Sequence, residues 1–114
     1  MELLKPLVER AEPAGSSRAV VAALSGWDAN GLKGIASAIA ARPGHIAILI
    51  GTPAPSAIVV ARAPGVAIDC SATLKQLTTK FGGKGGGRPE LAQGGGLQGD
   101  VDEILRAART LLAL

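Results

Sequence analysis

Residues 82–96 read GGKGGGRPELAQGGG, and nine of the chain's sixteen glycines fall between Gly82 and Gly99. The charges in this run are Lys84, Arg88 and Glu90. Without a Cβ, consecutive glycines can take positive φ, line up their backbone N–H groups and approach a ligand closely. Two cations set among such donors suit a phosphate or sugar-phosphate group. Lys84 would act as a mobile point charge and Arg88 as a planar fork able to hold two oxygens. Gly83, Gly85, Gly86, Gly87, Gly94, Gly95 and Gly96 would supply the close main chain, and Gln93 an amide that can reach a base or ribose edge. The same residues also suit structural roles. Glycine permits tight packing of strand on helix, and Arg88 or Gln93 can satisfy loop carbonyls. A flexible linker fits less well, because linkers mix serine with glycine and Arg88-Pro89-Glu90-Leu91 interrupts this run.

The charge around the glycines is one-sided. Lys75, Lys80, Lys84 and Arg88 follow one another with no acid between Asp69 and Glu90, although the net charge is only +3. A basic strip is the footprint of phosphate binding, and Lys75 and Lys80 would be its peripheral members. On a helix the same two lysines also read as solvated surface, and Lys80 near a C-terminus complements the helix dipole.

Other chemistries lack their residues. Cys70 is the single cysteine and His45 the single histidine, so neither an intrachain disulfide nor a multi-ligand Cys/His metal site can be built. No catalytic residue, metal or cofactor is expected. Cys70 reads as a small core residue, since Asp69 opposes the thiolate that a helix start would favour. His45 reads as a strand-end residue. Trp27 and Phe81 are the only aromatics, too few for rows of stacked bases, and Trp27 reads as an anchor for the first long helix. A Walker A loop needs Ser or Thr after its lysine, yet Gly85 follows Lys84. Gly94, Gly96 and Gly99 satisfy G-x-G-x-x-G, but the acidic residue required about 20 positions on has no chain to occupy. The longest apolar runs, 19–24 and 46–50, are too short to span a bilayer, and the first five residues do not open a signal peptide. A soluble protein in a reducing, cytoplasmic setting is expected.

At 114 residues, 47% of them apolar, the chain fits one domain with one core. Residues 1–17 carry Leu3, Leu4, Leu7 and Val8 in a helical pattern broken by Pro13 and Gly15, as in a helical tail or linker from a larger parent. Residues 18–24 read as a strand. Asp28 can cap a helix bearing Leu32, Ile35, Ala36, Ile39 and Ala40 on one face, which ends near Arg42-Pro43-Gly44. Residues 45–50 and 57–63 are apolar strands around a Pro/Gly turn, and 66–69 a short extension of that sheet. Ser71 would cap a helix to about Lys80 with Leu74, Leu77 and Phe81 inward. Residues 91–95 make a last strand, and Asp100 with Glu103 forms a capping-box pattern before a helix through Leu112. The expected fold is α/β: a single domain over 18–114, a mixed sheet of about four to five strands with a βαβ crossover, a hairpin and packed helices.

Gly82-Gly83-Lys84-Gly85-Gly86-Gly87-Arg88-Pro89, followed by Ala92-Gln93 and Gly94-Gly95-Gly96, resembles the signature of the C-terminal domain of alanyl-tRNA synthetase, the C-Ala or DHH-associated domain. The likeness reaches back through the strand, helix and hairpin pattern of residues 18–80. Arg88 occupies the place where the related domain of DHH phosphoesterases commonly carries histidine, and Gly94 the place of a frequent alanine. The resemblance implies a noncatalytic domain whose partners are tRNA, expected to be alanine-specific, and the remainder of the synthetase. It also implies contact with the tRNA elbow, linking aminoacylation to editing, and leaves room for a homodimer. Two rivals stay open on the residues: the substrate-binding half of a DHH phosphoesterase, and a dimerising module with no nucleic-acid role.

Overall fold

The computed structural model describes residues 4–53 and 55–112; Leu3 of the predicted tail helix and residue 54 of the predicted Pro/Gly turn lie outside them. Ten elements follow in order: α1 (Leu4–Glu9), β1 (Glu12–Ala14), β2 (Ser17–Ser25), α2 (Ala29–Ala40), β3 (His45–Thr52), β4 (Ser56–Arg62), α3 (Cys70–Phe81), β5 (Lys84–Arg88), β6 (Leu91–Leu97) and α4 (Val101–Leu111). The strands form one sheet in the order β1-β2-β3-β4-β6-β5. Only β2 and β3 run parallel, joined through α2, and every other neighbouring pair is antiparallel. This is the mixed α/β domain that the alternation of patterns predicts, with six strands rather than four to five.

Three layers result. Ala19, Val21, Ile46, Ile48, Ile50, Ile58 and Val60 turn one face of the sheet toward Leu74 and Leu77 of α3 and Ile104 and Ala108 of α4. Val20, Ala22, Ala47, Leu49, Val59 and Ala61 turn the other face toward Leu32, Ile35, Ala36 and Ile39 of α2. Strands buried on both sides read as unbroken apolar runs, which is why β3 and β4 lack alternation. The sheet is covered unevenly. Helix α2 lies over β3 and β4 and reaches only the near side of β6, whereas α3 packs beneath β4, β6 and β5. Residues 4–14 join this body: Leu7 is fully buried with the α2 cluster, and β1 pairs with β2.

Helix starts follow cap chemistry. The Asp28 carboxylate accepts the Gly31 N–H at 2.8 Å, as its position before the periodic run predicts. The predicted Ser71 cap is corrected: Asp69 is the N-cap of α3, its carboxylate accepting the Ala72 N–H at 3.1 Å while Ser71 is already inside the helix. The predicted strand at 66–69 is also corrected. Pro64 and Gly65 turn the chain, Gly65 with φ +86°, and 66–69 run without sheet pairing to the extended cap.

Replacing Leu7 with alanine removes a fully buried side chain that ties α1 to α2 and β2, and it should lower unfolding free energy by about 2–5 kcal/mol in urea titration.

Candidate nucleic-acid interface

The glycine segment is an ordered hairpin. Gly82 and Gly83, with φ of +84° and +92°, turn the chain out of α3 into β5. Strand β5 then pairs antiparallel with β6 in the register Lys84↔Gly95, Gly85↔Gly94, Gly86↔Gln93, Gly87↔Ala92 and Arg88↔Leu91. Both ends of the hairpin are tied down. At the tip, the Pro89 carbonyl accepts the Cys70 N–H at 2.8 Å and Arg62 Nε at 3.1 Å, while the Arg62 N–H donates to the Glu90 carbonyl. At the base, the Gly82 N–H donates to Thr78 and the Gln98 N–H to Phe81, each to a carbonyl.

The glycines divide by what a side chain would meet. A Cβ on Gly85 would lie 2.6 Å from the Gln93 carbonyl oxygen and 3.0 Å from Leu74 Cδ2, and one on Gly94 would lie 2.5 Å from the Lys84 carbonyl oxygen. Gly83 and Gly87 are blocked in the same way by the backbone of Gly95 and Leu91. Gly96, with φ +81°, sits where β6 carries one extra residue against β4, between the pairs Ile58↔Gly94 and Ser56↔Leu97. These positions are glycine because two main chains meet there. Gly86 and Gly95 differ: a Cβ on either would touch nothing in the protein.

Strand alternation sorts the polar residues. Gly85 turns toward Leu74 of α3, so Lys84, Gly86 and Arg88 turn to the opposite side, where Gly95, Gln93 and Leu91 are their cross-strand partners. This is the side on which α2 stops short, and Lys84, Gly86, Arg88 and Gln93 are exposed there. Four residues of strand set the Lys84 and Arg88 α-carbons about 13 Å apart. Arg88 Nε lies 3.2 Å from Glu90 Oε1, an exposed pair that orients the guanidinium and is worth little to stability. Beyond Arg88 a groove of about 560 Å³ runs between the hairpin tip and the end of α2, with Arg62, Arg88 and Glu90 at its polar side and Ala40, Pro64 and Leu91 at its apolar side. Lys75 and Lys80 lie elsewhere, on the exposed side of α3. Lys75 lines a shallow depression with Gln76 and Thr79, and Lys80 a groove facing α4 with Glu103 and Arg106. The basic strip that is continuous in sequence is therefore split between the two sides of the sheet.

The family model for the DHHA1 domain matches residues 16–114, which takes in the hairpin and every strand but β1. The chain belongs to the DHHA1 family. Among curated relatives, it is 36% identical over 113 residues to the alanine–tRNA ligase of Thermosynechococcus vestitus, covering 93% of this chain and 13% of that protein. It is 36% identical over 86 residues to the alanine–tRNA ligase of Thermus thermophilus, covering 75% of this chain and 10% of that one. It thus spans only about a tenth of the curated relatives it matches. Among solved structures, the C-Ala domain from Aquifex aeolicus alanyl-tRNA synthetase superimposes with a TM-score of 0.82 at 18% identity, covering 92% of this chain and 99% of that one. RecJ from Thermus thermophilus superimposes with a TM-score of 0.73 at 16% identity, covering 98% of this chain and 17% of that one. At such identities the structural likeness defines the fold.

Within this DHHA1 domain the remaining singled-out residues have structural surroundings. His45 Nδ1 lies 3.0 Å from the Pro43 carbonyl at the start of β3. The Trp27 ring covers Gly31 in the first turn of α2, where a Cβ would meet it at 2.7 Å. Cys70 is buried beneath the hairpin tip, and its pKa is pushed up from 9.0 to about 11. Burial is the main cause; the Arg62 guanidinium opposes it, and the Asp69 and Glu90 carboxylates add to it. A neutral thiol packed in the core is no nucleophile.

Two outcomes are expected. Gly94→Ala should destabilise the domain by about 1–3 kcal/mol in urea titration, because the Lys84 carbonyl cannot move aside without breaking the β5 ladder. The Cys70 thiol stays protonated in the folded state at a pH where the unfolded chain loses its proton. Its contribution is thus complete below about pH 9 and is lost as pH rises through 11, and Cys70→Ala should flatten that part of the stability profile measured by denaturation from pH 8 to 11.

Proposed function

We propose that this domain is the tRNA-binding C-Ala part of an alanyl-tRNA synthetase, contacting the elbow of the alanine tRNA and helping to keep aminoacylation and editing on one molecule. It carries out no chemistry itself, and it works in the cytoplasm with the remainder of the synthetase as partner, residues 1–17 leading in from that larger parent and packing on the domain from α1 onward. The support is twofold: identity to alanine–tRNA ligases over most of the chain, and an exposed hairpin face on which Lys84, Arg88 and Gln93 stand together. The second observation carries the reading, because two cations fixed on a backbone-clamped strand form a place for phosphates to dock. RNA whose bases remain stacked is recognised by shape and by phosphate and ribose contacts, and this surface offers those and no aromatic platform.

The binding should be weak and should fall steeply with salt. Lys84→Ala with Arg88→Ala should reduce tRNA affinity and make the plot of log K against log salt shallower by about 1.5, as expected for two lost phosphate contacts in filter-binding or anisotropy titrations. Affinity unchanged by both the substitutions and the salt would refute the reading.

A further inference from the structure

The two glycines that the fold does not require lie side by side on the face that carries the cations. Gly86 pairs with Gln93, and Gly95 pairs with Lys84, so they are diagonal neighbours in the ladder. Around them stand Lys84, Arg88 and Gln93, all exposed, and a Cβ at either glycine would enter open space. Elsewhere in the hairpin a forced glycine has a visible cause in its own backbone; here it has none. Glycine in a strand interior weakens the sheet, and an edge strand of glycines is more weakly held still. A recess one side chain deep, rimmed by two cations and an amide, remains. It opens beside the part of the sheet that α2 leaves uncovered, and at Arg88 it continues into the groove past Ser37 and Ala41.

We infer that Gly86 and Gly95 are contact residues, forming the floor on which a sugar-phosphate strand of the RNA lies. The strand runs along the α2 side of the hairpin, with Lys84 and Arg88 on its phosphates and the Gln93 amide on a ribose hydroxyl. The inference rests on the tRNA-binding reading and deepens it, since it chooses one face of the hairpin and one part of the nucleic acid. Sugar-phosphate fits better than base or peptide. The floor has no ring for a base to stack on, and its apolar neighbour Leu91, opposite Arg88, is half-buried against the α2 cluster, whereas bare main chain between cations suits a polyanion at close range. Lys75 and Lys80 have no part in this contact, because α3 holds them on the other side of the sheet.

Gly86→Leu and Gly95→Leu test this in the full chain, by thermal melting and by tRNA binding, with Lys75→Ala/Lys80→Ala as a reference on the other side. Gly86→Ala and Gly95→Ala serve where the larger residue lowers the melting temperature. Both positions should keep their melting temperature while tRNA affinity falls about tenfold for leucine and less for alanine. The α3 pair should change affinity far less than Lys84→Ala/Arg88→Ala. Leucine variants that bind within twofold of the unchanged chain, while Lys84→Ala/Arg88→Ala still weakens binding, would overturn the inference and leave the tRNA-binding reading standing. No effect from any of these variants would remove both. Competition separates the ligand classes: a single-stranded RNA homopolymer should displace tRNA, and equal displacement by polyglutamate would overturn the sugar-phosphate assignment.

Discussion

The hairpin depends on two backbones meeting with nothing between them. Gly83, Gly85, Gly87 and Gly94 each face main-chain atoms of the opposite strand at distances that no Cβ could share. Strand β5 has no side chain to bury in the core, so it is held by its ladder to β6 and by ties at both ends. The Pro89 carbonyl is shared by Cys70 and Arg62 at the tip, and Thr78 and Phe81 accept bonds at the base. Those bonds fix a segment whose composition would otherwise make it a flexible connector. They also place Lys84 and Arg88 at a set separation on a rigid strand, which is what a phosphate-binding surface needs to avoid ordering its own backbone on binding.

The two faces of the sheet have different tasks. Helices α3 and α4 cover one face, and the hairpin's own glycines fit closely against Leu74. On the other face α2 covers the central strands and the near side of β6, and leaves β5 open. The hydrophobic demands of β3 and β4 are met by Leu32, Ile35, Ala36 and Ile39, so the overhang of β6 and β5 can be polar and bare without weakening the core. The same sequence stretch therefore serves stability on one side and presents charge on the other, position by position.

The sequence carried the parts of the fold that have a period. Leu32, Ile35, Ala36 and Ile39 mark α2 by their spacing, and the unbroken apolar runs of β3 and β4 mark buried strands. Asp28 marks its helix start by residue type. Strand β5 has no such mark, because a glycine strand shows neither alternation nor propensity; its reason for existing is a contact across the hairpin. Strand β1 was hidden by its length of three residues and by Pro13. At α3, Asp69 and Ser71 are both good caps, and the choice between them is consistent with a tertiary bond, Cys70 to Pro89, that no local pattern reveals. The candidate site was legible in its residue types and illegible in its geometry. Lys84 and Arg88 stand out as cations among glycines, but their common face follows only once 84–88 is known to be extended. The continuity of Lys75 and Lys80 with them was a property of the sequence alone.

The ends of the sheet also bear on how the protein behaves among its own copies. An open edge strand invites another strand to join it, and chains with bare edges tend to stack into fibrils. If two copies met edge to edge at β5, antiparallel pairing centred on Gly86 would set Lys84 of each against Arg88 of the other. At the far edge, β1 is three residues long and its central Pro13 has no N–H to offer. Like charge at one margin and a missing donor at the other discourage the sheet from growing, even though the three consecutive glycines of β5 leave bare main chain at the surface.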